Sequence, residues 1–591
     1  MPWHCAIMSR MGFNRVIVLF ALVLAVLRLD AVPWSYPPRA WPRWEILRAR
    51  SHTYACGMYV GYPAHLADAT KCATFRGRDG RVFTVSASSQ GGVPCVRGEG
   101  FEVLDEESSA RSADIRDNGF ATVDASSRWV KCDVFDGTED SPPHLMGFPA
   151  VRGEPTQEGG LYAAGCETVA FICCRAAKRP VLRVGESRAE ALNEDPQWFE
   201  QSCRMEPTGV PGEWRSAVSL AFRYYRFAGP VEATWFEKDE MRTPQIRTFS
   251  CDDARRNRIW QACANTVRLC SRRFFVDAVK RDRMVWSGDQ ATAFLADSAT
   301  FVNAGVARFS IDALGCARDD GLVDYSPWWV IINGLYRRLY DDVGFIAARW
   351  PTIRRRTDVL TTGARGDGLK EPDGELFVDW GERGRPTTAY NVLRYGAFAT
   401  AAALADEIGR TDDARRWSAE ASRVRDALRK LAYDPSTGLF RTDVFASKEE
   451  TVYRQANLLA VLFGLVEGDE ARRIGDVLAE DGLPAVGTTW MMGLENVVLM
   501  ATGHADVVLK RIDAVWGVMA DRGFDTTFEH WWKDAKGADS YRYYDRPFGL
   551  ALCHVTAASP AFLLPRIQQG DFSNPFAVRT GSVQAKNERK R

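Results

Sequence analysis

Residues 390–433 read YNVLRYGAFATAAALADEIGRTDDARRWSAEASRVRDALRKLAY. Leu393, Ala397, Ala401, Leu404 and Ile408 recur at helical spacing, which is the apolar stripe of a packed helix. Gly409 reads as its C-terminal stop, because helix ends often need a left-handed residue. Thr411 is placed to cap a second helix, with Asp412 and Asp413 in its first turn, where the positive end of the helix favours carboxylates. Trp417, Ala421, Val424 and Leu428 carry the second stripe. Two helices joined by so short a turn lie antiparallel, so the stretch predicts a helix hairpin.

The same pattern extends in both directions. A second hairpin begins near Gln455 with Leu458, Leu459, Leu462 and Phe463, breaks at Gly468 and resumes over Ala471–Leu478; another helix covers Ala505–Met519. From about Thr248 the chain is a succession of such hairpins, which predicts an α/α barrel or an α-solenoid. The hairpins share no short consensus, which argues against the common short-repeat arrays. Residues 32–245 read differently. Short apolar or alternating runs, such as Arg81–Val85, Thr168–Cys173 and Val218–Tyr225, stand between clusters of Gly, Pro, Ser and Asp. That is the pattern of one or two β-sandwiches.

At 591 residues, two or three domains are expected. A net charge of zero gives no footprint for nucleic acid or an acidic membrane surface, and the basic end, Lys586–Arg591, reads as a tail. Arg10 and Arg15 precede the apolar run Val16–Leu27, and Ala31 could stand near a cleavage site. The run is short for a transmembrane helix, so residues 1–31 read first as a secretory signal and second as an uncleaved anchor. Met8 and Met11 leave a later start as a third reading. No other segment is apolar enough to span a bilayer. Of 14 cysteines, nine fall between Cys56 and Cys251. None has the paired spacing of a zinc site, so no metal is expected, and disulfides in the N-terminal half are expected only of an exported chain.

The chemistry is concentrated elsewhere. Asp277 to Asp289 reads DAVKRDRMVWSGD: three carboxylates (Asp277, Asp282, Asp289) and three cations (Lys280, Arg281, Arg283) around Trp286. A plain surface ion-pair cluster is the bland alternative. Further Trp-, Asp- and Tyr-rich loops lie between the helices at Asp324–Trp329, Phe377–Trp380, Gly487–Met492, Asp525–Trp532 and Tyr541–His554. Polar and aromatic loops on a helical scaffold suit a binding cleft at one end of a barrel. There is no nucleophile elbow, phosphate-binding loop or dinucleotide fingerprint, so no cofactor is expected. Carboxylates with aromatics point to carbohydrate, since a glycosidic bond needs one carboxyl group as acid and another as base or nucleophile.

The segment also resembles the signature of glycoside hydrolase family 78, the α-L-rhamnosidases. The match lies in Asp277, Arg281-Asp282-Arg283 and Trp286-Ser287-Gly288-Asp289. Further pieces follow in the family's order: Gly185-Glu186-Ser187 with Ala189–Leu192, Ala221–Tyr224, Asp379-Trp380, Arg454–Asn457, Thr526–Glu529, and Leu552–His554 with Ser559-Pro560. The resemblance covers roughly residues 180–566. With the patterns above it gives a multidomain chain: leader 1–31, β-sandwich region 32–245 as one or two domains, an all-α six-hairpin barrel catalytic domain over 246–566, and a tail over 567–591. It further implies an inverting exo-glycosidase for terminal α-L-rhamnose, with Asp282 as general acid and Glu529 as general base. Such a pair stands about 6.5–9.5 Å apart to admit a water. Asp277, Arg281, Trp286 and Asp289 would hold the sugar, with Asp379, Trp380 and His554 nearby. One of Arg281 and Arg283 is expected to turn away, so that Asp282 can keep its proton, and Ser287 is expected to cap the next helix. This chain has Asp at the acid place where many members have Glu, and Phe528 where Trp is common.

Each site residue has a plain structural alternative. Trp286 could be a core indole, His554 a satisfied core histidine, and Asp379 a loop cap. Other functions also remain open at this level: a six-hairpin enzyme or polysaccharide lyase on another sugar, using Tyr543, Tyr544 or His554, or a carbohydrate-binding protein without turnover.

Overall fold

Helix α7 (Thr387–Glu407) buries nearly its whole circumference. Its alanines and the absence of charge on most faces explain this: a helix apolar all round belongs inside a layer of other helices. Its partner α8 (Thr411–Leu431) buries only Ala414, Trp417, Ala421, Val424, Ala427 and Leu428, a single stripe, and lies outside it. In the computed structural model this inner–outer alternation runs through the C-terminal part of the chain. Outer helices α2 (Ala254–Cys270), α4 (Ala304–Gly315), α6 (Val343–Val359), α8, α10 (Gly468–Ala479) and α12 (Ala505–Asp521) alternate with inner helices. The inner set is α3 (Ser287–Ser298), α5 (Tyr325–Tyr340), α7, α9 (Arg454–Leu462), α11 (Thr489–Ala501) and α13 (Pro560–Gln569). Each inner helix packs on the next, and α13 packs back on α3, so among the described residues six hairpins close into an α/α ring.

The structure describes residues 34–36, 72–86, 96–97, 100–104, 128–135 and 151–577; within the last range it leaves out 202, 218, 241–242, 273, 282, 316–321, 381–383, 448–450, 481 and 532–535. The expected leader, the basic end, Trp532 and the expected acid Asp282 therefore lie outside the described residues.

The chain divides into two units. In the first, β2 (Cys72–Arg76), β3 (Val82–Ser86), β5 (Glu102–Leu104) and β6 (Trp129–Lys131) form one antiparallel sheet. Strand β1 (Trp34–Tyr36) pairs with β4 (Val96–Arg97) and β7 (Asp133–Phe135) in another.

The second unit opens with an antiparallel sheet of eight strands built on β10 (Leu161–Arg175). Strand β10 runs well beyond Thr168–Cys173, the part legible from its apolar run. It pairs with β14 (Leu220–Ala228) through a register shift between Ala163 and Thr168. Around these lie β8 (Val151–Gly153), β9 (Thr156–Glu158), β11 (Val181–Gly185), β12 (Met205–Pro207), β13 (Glu213–Ser216) and β15 (Ala233–Lys238). Ala170, Ile172 and Cys174, alternate residues of β10, pack with Leu182, Phe222 and Phe236 in its core. The short helix α1 (Arg188–Leu192) follows β11 and is capped by Ser187.

Several ion pairs join this sheet to the ring. Arg272 pairs with Asp239 at 2.6 Å, Arg546 with Glu200 at 2.6 Å and Arg223 with Asp525 at 3.7 Å. Arg268 also pairs with Glu240.

One local expectation is corrected. Thr411 is the first residue of α8 and not its cap; Arg410 holds that place and gives no side-chain cap bond, since a guanidinium has no acceptor to offer the first-turn N–H groups, and its own N–H donates to the Ala405 carbonyl at 2.7 Å. Cys166, Cys251, Cys263, Cys270 and Cys553 are thiols, as are Cys174 in the sheet core and Cys173, buried on the opposite face of β10, and burial pushes each of the last two up to about 12. Among the described residues no helix is long and apolar enough to cross a membrane.

Candidate active site

Between α2 and α3 the backbone crosses one end of the ring without regular structure. Asp277 ties this crossing into a loop: its N–H donates to the Met284 carbonyl at 2.8 Å, and its Oδ1 accepts from the Met284 N–H at 2.8 Å. The Asp277 carbonyl accepts from the Val555 N–H at 2.7 Å, and Ala278 bridges to His554. The start of the sequence motif and the end of the barrel are thereby fastened together.

The two arginines part company. Arg283 sits at φ +50° and turns back, donating to the carbonyls of Val279 and, at 2.9 Å, Ser219 in the sheet. Arg281 stays at the ring end. Its Nε donates to the Gly549 carbonyl at 2.8 Å, its outer nitrogen pairs with Glu529, and its guanidinium lies 4.5 Å from the Tyr544 ring centre.

Helix α3 begins at Ser287, with Trp286 in the cap position and no side-chain cap bond, so the expected cap by Ser287 is corrected: Ser287 lies one residue inside the helix. Gly288 explains itself, since a Cβ there would stand 2.9 Å from the Tyr325 ring and 3.1 Å from Trp490. Asp289 lies in the first turn, buried, and accepts from the Tyr325 hydroxyl at 3.2 Å. Trp286 meets the same Tyr325 edge-on at 6.1 Å.

Asp379 is held from several sides. Gln455 Nε2 at 2.8 Å, the Gly487 N–H at 2.6 Å and Thr488 Oγ1 at 2.9 Å all donate to its carboxylate. It thus fastens its own loop to α9 and α11, the capping role of its structural alternative. The turn before it is fixed by Asp324, whose two oxygens accept from Phe377 and Val378 at 3.0 Å each, with Val378 at φ +51°. Trp380 is 54% exposed and meets Phe377 at 4.9 Å and Tyr544 at 5.7 Å, both edge-on.

Glu529 is the carboxylate most completely prepared. It is buried, its N–H donates to the Ala551 carbonyl at 3.1 Å, and its carboxylate takes Arg281 and, at 3.1 Å, the Tyr544 hydroxyl. Burial alone would raise its pKa, but Arg281, then His554 and the Tyr544 hydroxyl, outweigh it and hold the group below the usual glutamate value. His554 is buried behind it with Nδ1 at 2.7 Å from the Thr556 hydroxyl. Burial pushes His554 down to about 4 despite the attraction of Glu529, so it is neutral at pH 7 and the cation steadying Glu529 is Arg281.

Tyr544 and Asp545 follow each other at φ +50° and +57°. Left-handed backbone costs a residue with a Cβ about 1–2 kcal/mol, so this turn is kept by its surroundings. The structure brings Asp277, Arg281, Trp286, Asp289, Asp379, Trp380, Glu529 and His554 to the loops and helix starts at one end of the ring. It adds Tyr325 and Asp324, which the sequence places in a cleft loop, Asp324–Trp329, without singling them out; that stretch is instead the start of α5, where caps and ligands look alike. Among the described residues no group of three His, Cys, Asp or Glu side chains is arranged to hold a metal ion.

A closed ring of six helix hairpins with carboxylates, an arginine and indoles gathered at one end defines a six-hairpin glycosidase. A family model of the bacterial alpha-L-rhamnosidase six-hairpin glycosidase domain matches residues 244–545, and the chain belongs to that family of glycoside hydrolases. Solved structures agree on the fold. A rhamnosidase from Klebsiella oxytoca with rhamnose bound superposes with a TM-score of 0.59 at 20% identity, over 69% of this chain and 87% of that one. A family 78 rhamnosidase of Bacillus sp. GL1 gives 0.60 at 18% identity, over 71% of this chain and 48% of that one. An α-L-rhamnosidase of Streptomyces avermitilis complexed with L-rhamnose gives 0.52 at 16%, over 83% and 51%. No curated protein matches the sequence.

Proposed function

We propose that this enzyme is an inverting exo-glycosidase that releases terminal α-L-rhamnose, with Asp282 as general acid and Glu529 as general base. The observation that carries the reading is the state of Glu529: a buried carboxylate kept ionised by Arg281 and Tyr544 beside Trp380 and the Asp277–Asp289 loop. A base must be charged at working pH and near the water it activates. Glu529 takes a proton from that water as the water attacks the anomeric carbon; the acid gives its proton to the leaving oxygen. Asp289 and Trp286 are buried while Trp380 and Tyr544 are exposed, a contrast that supports one terminal sugar held endwise, the exo mode. Export belongs to the same proposal and rests on the apolar run Val16–Leu27; sequencing the mature N-terminus tests it.

The experiment is hydrolysis of an aryl α-L-rhamnoside with the released sugar followed by NMR. β-L-Rhamnose is expected first. Glu529→Gln and Asp282→Asn are each expected to lower kcat by roughly 10²–10⁴-fold or more with the fold intact. Release of the α-anomer first removes the inverting mechanism, and a wild-type rate in either variant removes that residue from its role. An inert wild-type enzyme that still binds rhamnose points to a binding protein.

A further inference from the structure

Lys280 lies in the active-site loop between Asp277 and Arg281, yet its side chain goes the other way, into the seam between sheet and ring. It is 1% exposed. Its ammonium lies 3.1 Å from Glu186 and 3.4 Å from Glu190, both in the segment that follows β11. It also donates to the carbonyls of Phe548 at 2.8 Å and Leu550 at 2.7 Å. The carbonyl between these, Gly549, is taken by Arg281 Nε at 2.8 Å. Two successive side chains thus grip three successive carbonyls. Glu186 adds a grip from the sheet, accepting from the Leu552 N–H at 2.8 Å.

What they grip is the segment that prepares Glu529. Its Ala551 carbonyl accepts the Glu529 N–H, and its turn, closed by Tyr543 and Arg546 in reciprocal bonds of 3.0 and 2.9 Å, presents Tyr544 to the carboxylate. That turn holds two non-glycine residues at positive φ in succession. Strained turns of this kind persist only where neighbours over-determine them. Gly549 is part of the fit, since a Cβ there would stand 2.3 Å from the Tyr543 carbonyl oxygen. Burial favours the neutral amine, but the Glu190 and Glu186 carboxyl groups outweigh it and keep Lys280 charged, while the same burial pushes Glu190 itself up to about 8.

We infer that Lys280 is a positioning residue for the general base: with Glu186 as its counter-ion in the β-sheet, it fixes the carbonyls of residues 548–550 and so sets the Tyr544–Glu529 contact. The β-sheet is then a working part of the active site, reaching the base through one buried cation. This rests on Glu529 being the base, as proposed above.

The test compares wild type, Glu529→Gln, Lys280→Met and the double variant Lys280→Met/Glu186→Gln, which removes the buried cation together with its nearest carboxylate. Each is measured by circular dichroism, by the pH profile of kcat/KM on an aryl α-L-rhamnoside, and by inhibition with free rhamnose. The double variant is expected to fold and to lose on the order of 10²-fold in kcat, the scale of a misplacement of about 1 Å. Its acid limb, set by Glu529, is expected to move to higher pH, while rhamnose inhibition changes little. A double variant that folds with the wild-type pH profile, or that does not fold at all, assigns Lys280 to the fold alone and overturns the inference. The two readings separate through Glu529→Gln: activity there sinks the base assignment, whereas an inactive Glu529→Gln beside a normal double variant sinks only the role of Lys280.

Discussion

Tyr544 holds Glu529 by a hydroxyl at 3.1 Å, and a hydrogen bond to a charged group contributes about 1.5–3 kcal/mol. Tyr544→Phe keeps the ring over Arg281 and removes the donor. We expect kcat/KM on an aryl rhamnoside to fall by roughly tenfold or more and its acid limb to move up, since the bond favours the ionised form. An unchanged limb would leave Arg281 as sole keeper of that charge. His554 makes a prediction about stability. Its folded value is about 4, against about 6.5 for a free imidazole. The folded state therefore binds fewer protons than the unfolded state between those values. Stability is complete above pH 6.5 and is lost as pH falls through 4, by about 3 kcal/mol in all. His554→Gln should flatten that part of the stability–pH curve in denaturant melts. At this scale the sequence motif showed which residues gather, through the order of its pieces. It did not show direction: Arg281 and Arg283 read alike, and what separates them is φ +50° at Arg283, a backbone state that no neighbouring residue announces.

The elements were legible where one period of burial governs a whole helix. Thr411–Leu431 and Ala505–Asp521 follow from their stripes. Ends were less so, because caps compete: Arg410 and Trp286 took places that Thr411 and Ser287 were chemically suited to fill. Strand β10 was truncated in reading because Gly165 and Glu167 interrupt its apolar run, and the register shift that absorbs them is a property of the pair with β14. The turn Phe377–Val378 shows how an element places a site residue. Asp324, at the start of α5, is fully buried and grips two consecutive N–H groups; burial raises it to about 6 in spite of those bonds. Asp324→Asn would set an NH₂ against one of those N–H groups. We expect a loss of about 1–3 kcal/mol in stability, the cost of an unsatisfied buried donor, and a raised KM as Asp379 and Trp380 loosen. Wild-type KM with the lowered melting temperature would separate this turn from substrate binding.

Across the second unit, aromatic rings make a continuous path that no local pattern foretold. Phe576, fully buried, lies 6.3 Å from Trp328 and 6.1 Å from Phe463. Trp328 meets Trp490 at 5.8 Å, Trp490 meets Tyr325 at 6.2 Å, and Tyr325 meets Trp286 in the site. Its members come from segments far apart in the chain, so only closure of the ring assembles them. The charged seam with the sheet was invisible for the same reason: Lys280 and Glu186 are ninety-four positions apart and each alone reads as a surface charge. Phe576 follows α13 and is anchored by its neighbours. Arg338 donates to the Ala577 carbonyl at 2.9 Å, and the Asn574 amide donates to Leu462 at 2.7 Å. Phe576→Ala would empty a position between two inner helices, where removal of a buried phenyl ring costs about 3–5 kcal/mol. Since the ring lies several side chains from Glu529, we expect a clear drop in melting temperature with kcat/KM at 25 °C close to wild type. If activity fell instead while the melting temperature held, the path would be transmitting position from Phe576 to Trp286, and the rigidity of the aromatic column, rather than of the loops, would govern the site.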